Sequence, residues 1–440
     1  MNDSLFELPR PEAAPPRPEA KPEPRLQRPN RAQVEWRAVD LEGLLPADHR
    51  ARIVWDFVEG LDLAPLYRGI KAVEGQAGRP PIDPAILLAL WLYATVEGVG
   101  SARAVARLCE EHDAYRWLCG GVSVNYHTLA DFRVEHVEYL DRVLTTSVAT
   151  LMAEGLVTMT RVAQDGVRVR ASAGAASFRR RARLEHFLAE AAAQVAALRV
   201  EVHDDPGATT RRQAAARRRA AEERRQRVAK ALEQLPEVEG KKPAPEREQA
   251  RTSTTDAEAR VMKMADGGFR PAFNAQLATD TGSQMVVGVA VSNAGTDYGQ
   301  LTPMVEQLHR RYGRPPREVL ADGGFVALED LRRVAGPPWG CTVYAPPPTP
   351  RGTRRVDERE GRDDAVLAAW RVRMASTEGH AVYKKRAATS ECVNAIARNR
   401  GLQRLMVRGL RKAYAVLLWF AVAHNLMRAV ALRRAVTHLA

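Results

Sequence analysis

Residues 157–171 decide the fold, and they read Val-Thr-Met-Thr-Arg-Val-Ala-Gln-Asp-Gly-Val-Arg-Val-Arg-Ala. Apolar and polar side chains alternate along this stretch and β-branched residues are frequent, a pattern typical of a β-strand. Asp165 and Gly166 stand in the middle of it. A lone Asp-Gly pair most often marks a turn, but here β-forming residues flank the pair on both sides. The stretch therefore predicts a strand that carries an acid.

Directly after this strand the composition changes. Residues 176–250 are rich in Ala, Arg and Glu, which are good helix formers. We expect a helical hairpin here, broken near Gly207 and ended by Pro236 together with Lys241-Lys-Pro-Ala-Pro245. Such a charge run has two interpretations, a solvated pair of ion-paired helices or an arm that contacts phosphates.

From residue 271 the pattern is that of an α/β protein. Two strands around a Thr281-Gly-Ser turn form a hairpin, and a helix, a short strand, a second helix and another strand follow it up to Pro346. Residues 349–365 are a charged loop, and 376–437 are predicted to be helical. Without the insertion this is the order of a ribonuclease-H-like mixed sheet with helices on both sides. We expect that domain to comprise residues 151–175 and 271–440, with the helical insertion at 176–270.

The N-terminal part is predicted to be all-α. Residues 1–30 contain eight prolines and many charges, which predicts a disordered leader. Residues 31–150 show apolar helices, the clearest beginning at Pro84. Short helices, glycine turns and an Arg133 expected to be exposed favour a helix-turn-helix-like reader of DNA, although a plain helical bundle fits this segment equally well.

Composition restricts the partners and the compartment. The formal net charge of +13 favours a polyanion, either nucleic acid or an anionic membrane. The apolar run at residues 413–423 is too short to span a bilayer and predicts a buried helix instead. No export signal is recognisable at the N-terminus, so the expected location is the cytoplasm. The four cysteines lack CxxC spacing and are expected to be buried thiols.

A second acid must be chosen between two copies of one pentapeptide. Ala-Asp-Gly-Gly-Phe occurs at residues 265–269 and again at 321–325. Asp322 follows a short apolar strand and precedes a helix, which is where ligand sites form in open sheets. Asp266 precedes a strand instead. We therefore assign Asp322 to the site and leave Asp266 as a loop residue.

A third acid, Glu391, lies in a predicted helix. At about 100° per residue, Lys384, Glu391 and Arg398 share one stripe of that helix, while Val393, Ile396 and Ala397 face the core. Hard oxygen donors without His or Cys partners favour Mg²⁺ or Mn²⁺ over zinc. Two such ions held by Asp165, Asp322 and Glu391 would support cleavage of a phosphodiester, and in so basic a chain the expected phosphodiester is DNA.

At these residues the sequence resembles the bacterial insertion-sequence transposases of the DDE type. Four stretches carry the resemblance, and they lie at Arg79-Pro-Pro-Ile-Asp-Pro84, 165–172, 320–325 and Tyr383-x2-Arg386-x4-Glu391. The resemblance implies that Asp165, Asp322 and Glu391 form the metal triad. It also implies that Tyr383 and Arg386 contact the ends of the element, that the N-terminal helices recognise its terminal repeats, and that the enzyme works as at least a dimer on double-stranded DNA. The chain departs from the usual family residues at Arg398, Cys392 and Asn394.

Two other functions fit the same residues. One is a metal-dependent nuclease of the same fold that does not transfer strands, and the other is a derivative that binds DNA without catalysis. Retention of all three acids argues against the second.

Overall fold

A computed structural model describes residues 41–70, 80–204, 211–347 and 364–439, together with the isolated positions Ala32, Val34, Ala38, Asp40 and Ala72. The predicted leader at residues 1–30, Arg79, the expected break near Gly207 and most of the charged loop at 349–365 lie outside the described residues.

Fifteen helices and eight strands are named here in chain order. The helices are α1 (Arg50–Glu59), α2 (Ala64–Tyr67), α3 (Pro84–Val96), α4 (Ala102–Glu111), α5 (Asp113–Cys119), α6 (Tyr126–Glu135), α7 (Val137–Ala153), α8 (Arg181–Asp204), α9 (Arg211–Gly240), α10 (Leu301–Tyr312), α11 (Leu328–Ala335), α12 (Ala365–Ala375), α13 (Thr377–Arg386), α14 (Cys392–Asn399) and α15 (Leu410–Leu439). The strands are β1 (Arg161–Arg170), β2 (Phe178–Arg179), β3 (Thr252–Ser253), β4 (Arg260–Lys263), β5 (Phe269–Asp280), β6 (Val286–Ser292), β7 (Glu318–Leu320) and β8 (Thr342–Tyr344).

The main sheet has six strands and β1 lies at its centre. Strand β1 is antiparallel to β5 and parallel to β7, and β7 is parallel to β8. The β5–β6 hairpin provides one side of the sheet, and the helices α10 and α11 follow β6 and β7 as expected. This is the predicted ribonuclease-H-like order, so the fold class deduced from the sequence is confirmed.

The insertion is a helical hairpin with a small core of its own. Helices α8 and α9 pack against each other around Leu184, Val228, Ala231 and Leu235. Pro236 lies inside α9, and the helix ends at Gly240, directly before the predicted stop at residues 241–245. The short β2–β3 ribbon connects the base of the hairpin, and β4 pairs with the first part of β5. The last residues of the segment assigned to the insertion are therefore part of the main sheet.

The N-terminal helices share one core with α15. Helix α3 begins at Pro84, and Asp83 caps it by accepting from the Ala85 N–H at 2.8 Å. Trp91 on α3 and Trp419 on α15 are both fully buried, with ring centroids 6.5 Å apart. Each indole N–H donates to a backbone carbonyl of α6, that of Trp91 to Leu129 and that of Trp419 to Arg133. The buried polar groups are thus satisfied while two large aromatic side chains leave water.

The expected exposure of Arg133 is wrong. Its side chain is buried, its Nη1 donates to the Gly100 carbonyl at 2.6 Å, and its guanidinium lies 4.6 Å from the Trp91 ring centroid. Burial lowers the pKa of Arg133 to about 10. A guanidinium held in this way ties two helices and a turn together, and it is not presented for contact with DNA.

Helix α15 is the apolar helix that the sequence predicts to be buried. It is long and apolar enough, by length and composition, to cross a membrane, yet 72% of its apolar window is buried inside the protein. It packs on α3, α6, α7 and β6. Its burial therefore confirms the prediction of a core helix at residues 413–423.

His424 on α15 gives the core a pH-dependent stability. Its Nε2 lies 2.9 Å from the Gln284 carbonyl oxygen, and burial, reinforced by Arg400 and Arg428, lowers the pKa of His424 to about 4. An unfolded histidine binds its proton near pH 6.5. Between pH 6.5 and pH 4 the unfolded chain therefore binds more protons than the folded one, and the free energy of unfolding falls as the pH falls through this window.

We predict that His424→Gln, which can keep an N–H donor towards Gln284, removes part of this acid sensitivity. Urea unfolding of both proteins at pH 7.5 and pH 5 would measure it. The wild type should lose on the order of 1–2 kcal/mol more than the variant over this interval. Equal losses in the two proteins would contradict the assignment to His424.

Candidate active site and DNA interface

The strand register brings two of the predicted acids to one edge of the sheet. Strands β1 and β7 run parallel, and their last pair is Ala163 with Leu320. Asp165 and Asp322 each stand two residues beyond that pair. Because neighbouring strands lie about 4.8 Å apart, this register brings Asp165 on β1 close to Asp322, which follows the end of β7. The negative charge of Asp322 accordingly raises the pKa of Asp165.

The surroundings of Asp165 disfavour a negative charge on its side chain. Its side chain is only 15% exposed. Burial, together with the charges of Asp322 and Asp297, raises the pKa of Asp165 to about 6, against the opposing effect of Arg386. Its Oδ1 accepts from the Gly166 N–H at 3.0 Å and its Oδ2 accepts from Asn394 Nδ2 at 2.8 Å. The carboxylate is therefore fixed in orientation but lacks enough positive charge around it.

Arg386 links Asp165 to the third acid. Its Nη1 lies 3.5 Å from Asp165 Oδ2, and its Nη2 lies 3.7 Å from Glu391 Oε1. The Arg386 side chain is 14% exposed, whereas that of Glu391 is 67% exposed. The guanidinium thus acts as a buried counterion between one strand acid and one helix acid.

A π-helical segment makes this contact possible. Residues Ala387–Glu391 form a π-helix between α13 and α14, and this segment packs on β1 and β5. In a regular α-helix, residues five apart point about 140° away from each other. The wider π turn brings Arg386 and Glu391 back to one side, and such bulges are frequent at functional sites. The single α-helical stripe expected for Lys384, Glu391 and Arg398 is therefore wrong, although Val393 and Ala397 are buried as predicted.

The structure brings the three acids to one region, but their carboxylates do not converge closely enough to hold one metal ion together. Asp165 and Asp322 are neighbours, and Glu391 joins them through Arg386 rather than directly. Among the described residues, no group of three or more His, Cys, Asp or Glu is close enough to hold a metal ion. Asp266, in the other copy of the pentapeptide, lies in an exposed turn and pairs with Arg270 at 2.7 Å.

The donor chemistry at this edge fits a divalent metal. The available ligands are carboxylate oxygens, which suit Mg²⁺ and Mn²⁺. Burial and the neighbouring acids raise the pKa of Asp165 despite Arg386, and a divalent ion beside Asp165 and Asp322 would offset their negative charge.

The cations expected to contact DNA fall into two groups. Lys384 and Arg398 are exposed on either side of the π segment. Arg386 is mostly buried, and its guanidinium lies 5.8 Å from the ring centroid of Tyr383, which packs against the core of the sheet. Tyr383 and Arg386 thus lie against the sheet, whereas Lys384 and Arg398 face outward.

Two residues beside Asp165 were not predicted from the sequence. Asn394 hydrogen-bonds Asp165 from α14, and Asp297 lies in the loop between β6 and α10. The sequence signal for Asn394 was indirect. Arg386 and Glu391 are five residues apart and do not fit one face of an α-helix, which indicates an irregular turn that changes the direction of the residues after it. Asp297 belongs to no recognisable motif.

Comparison with protein families matches two parts of the chain. Residues 39–135 match the transposase domain DUF772, and residues 238–426 match the transposase DDE domain. No curated protein and no solved structure matches. With the mixed sheet described above, these two matches define a transposase. The chain belongs to the insertion-sequence transposases of the DDE type, a family whose substrate is DNA and whose chemistry uses divalent metal ions.

We predict that Asp165→Asn stabilises the metal-free protein. Since its folded pKa is raised from 3.8 to about 6, the charged carboxylate costs stability above pH 6, and this cost vanishes as the pH falls towards 4. Chemical denaturation at pH 8 with a chelator should show a gain on the order of 1–3 kcal/mol. Added Mg²⁺ should raise the melting temperature of the wild type more than that of the variant. A variant less stable than the wild type at pH 8 would contradict this view of the site.

Proposed function

We propose that this transposase binds the ends of its element, cleaves DNA there with two divalent ions, and joins the freed 3′ end to target DNA. The observation that carries the proposal is the proximity of Asp165 on β1 to Asp322 just after the adjacent strand β7, with Glu391 linked to Asp165 through Arg386. The N-terminal helices recognise the terminal repeats in this proposal. The enzyme acts as at least a dimer on paired ends.

The carboxylates of Asp165, Asp322 and Glu391 would hold the ions, with Mg²⁺ or Mn²⁺ as the expected metal. When bound, two such ions activate the attacking oxygen and stabilise the leaving oxygen of an in-line displacement. Asn394 keeps Asp165 oriented. Glu391 is largely exposed, so it can turn towards the strand acids once Arg386 no longer has to balance them alone.

Arg386 then becomes available to a phosphate. Its Nη1 and Nη2 now lie 3.5 and 3.7 Å from carboxylate oxygens, longer than good hydrogen bonds. A guanidinium released from this pairing can bind a phosphate in bidentate fashion. The outward-facing Lys384 and Arg398 extend the positive surface along which the DNA backbone would lie.

We predict that Asp322→Asn abolishes end cleavage and strand transfer while leaving end binding within about twofold. Asn keeps the size of the side chain but removes the negative charge that a metal needs. Labelled end DNA with purified protein and Mg²⁺ would measure binding, nicking and joining separately.

The matched control is Asp266→Asn, which makes the same change in the same pentapeptide away from the sheet edge. It should cleave within about twofold of the wild type. Nicking without joining by the wild type would instead favour a nuclease of this fold. Substantial cleavage by Asp322→Asn would refute the assigned acids.

The helical hairpin supplies a second DNA-contacting surface in this proposal. A cavity of about 380 Å³ lies at its base, lined by Phe187, Arg224, Arg227, Val228, Thr254, Thr255 and Arg408. The acids nearest to two of these arginines are loosely placed, with Glu190 3.6 Å from Arg224 and Glu223 3.8 Å from Arg227. Their N–H groups therefore keep capacity for phosphate oxygens.

We predict that the double variant Arg224→Gln/Arg227→Gln binds end DNA more weakly and with less salt dependence. Loss of two phosphate contacts should reduce the slope of log K against log salt concentration by about 2. Arg225→Gln is the control, because Glu222 already holds Arg225 at 2.6 Å. An unchanged slope in the double variant would assign the charged hairpin to solvation alone.

A further inference from the structure

Asp297 is a buried carboxylate on a loop of the sheet edge. It lies between β6 and α10, and its side chain is 6% exposed. Its Oδ1 accepts from Asn274 Nδ2 at 2.7 Å and from Gln276 Nε2 at 2.6 Å, both on β5. Its Oδ2 lies 2.9 Å from Arg168 Nη2 on β1. Both oxygens are therefore engaged by donors of the two central strands.

The same carboxylate lies against Gly166 within β1 and approaches Gly324 in the turn after Asp322. A Cβ atom on Gly166, the residue after Asp165, would collide with Asp297 Oδ1 and would lie 2.8 Å from its Cγ. A Cβ atom on Gly324 would lie 4.0 Å from Asp297 Oδ2. The Gly324 N–H in turn donates to Asp322 Oδ1 at 2.8 Å. One side chain thus contacts the chain directly after Asp165 and approaches the turn that holds Asp322.

A network of buried polar side chains surrounds Asp297. Gln276 and Asn274 are almost fully buried, and Gln164 on β1 donates to Gln276 Oε1 at 3.2 Å and to the Gln300 carbonyl at 2.9 Å. Amides inside a sheet lower stability unless they are hydrogen-bonded. Here their N–H groups fix the loop of Asp297 onto β1 and β5, while the buried Gln164 Oε1 accepts no hydrogen bond.

We propose that Asp297 is a positioning residue, which sets the separation of Asp165 and Asp322 by packing between Gly166 on β1 and the turn that follows Asp322. Asp297 acts through the backbone and not as a ligand, because its oxygens are occupied by Asn274, Gln276 and Arg168. This also explains why glycine follows Asp165. The inference rests on the proposed function, since it assumes that the two acids act as a pair.

The test is Asp297→Asn. An amide keeps the volume and one acceptor, but it turns an N–H₂ group towards Arg168 and loses the ion pair. We expect KM for end DNA to stay within twofold and kcat for cleavage to fall at least tenfold. The Mn²⁺ concentration for half-saturation, measured by electron paramagnetic resonance without DNA, should rise at least threefold.

The matched control is Asp256→Asn, which changes another buried aspartate, whose Oδ2 accepts from the Gly409 N–H at 3.2 Å. It should keep the wild-type Mn²⁺ affinity whatever its melting temperature. If Asp297→Asn fails to fold, Arg168→Gln removes only the ion pair and should weaken Mn²⁺ binding in the same direction, with Arg168→Lys restoring part of it. Wild-type Mn²⁺ affinity in Asp297→Asn, or an equal loss in Asp256→Asn, overturns the proposal.

The metal measurement separates this inference from the proposed function. A wild-type protein that binds Mn²⁺ but cleaves no end DNA would refute the proposed function. The difference in Mn²⁺ affinity between wild type and Asp297→Asn would still decide the role of Asp297.

Discussion

The structure depends on the carboxylate of Asp165, which lies at the edge of a sheet where burial disfavours its negative charge. Asp165 is mostly buried beside Asp322, and burial and like charge raise the pKa of Asp165. Arg386 and Asn394 offset only part of that cost. A site with this imbalance attracts a cation more strongly than a relaxed one, since the ion relieves a repulsion as well as forming bonds. The charge of Asp165 therefore lowers the stability of the metal-free protein, whereas the proposed metal binding requires that charge.

The surrounding fold is arranged to keep that edge rigid. The π-helix sets Arg386 and Glu391 on one side, and α14 carries Asn394 onto Asp165. On the side of β5, amide side chains and Arg168 fix the Asp297 loop. Each of these contacts comes from a different element, and together they leave the two strand acids little freedom. Glu391, being exposed, is the acid that retains it.

The sequence predicted the parts of this arrangement that have a local signature. Alternation around Asp165 predicted β1, and the apolar strand before Asp322 separated it from its twin at Asp266. The order of strands and helices then gave the fold class. What failed needed tertiary information. Arg133 was expected on the surface as part of a helix-turn-helix-like reader, yet it packs over Trp91. The π-helix changed which residues lie beside Glu391, and Asp297 is recognisable only when β1, β5 and the loop are seen together.

The core shared by α3, α6 and α15 has a consequence for how such an enzyme moves on its substrate. Because Trp91 and Trp419 are buried together and bonded to the same helix, a hinge between the N-terminal helices and the sheet would expose a large aromatic surface to water. The N-terminal helices and the sheet are therefore expected to move as one unit on binding DNA.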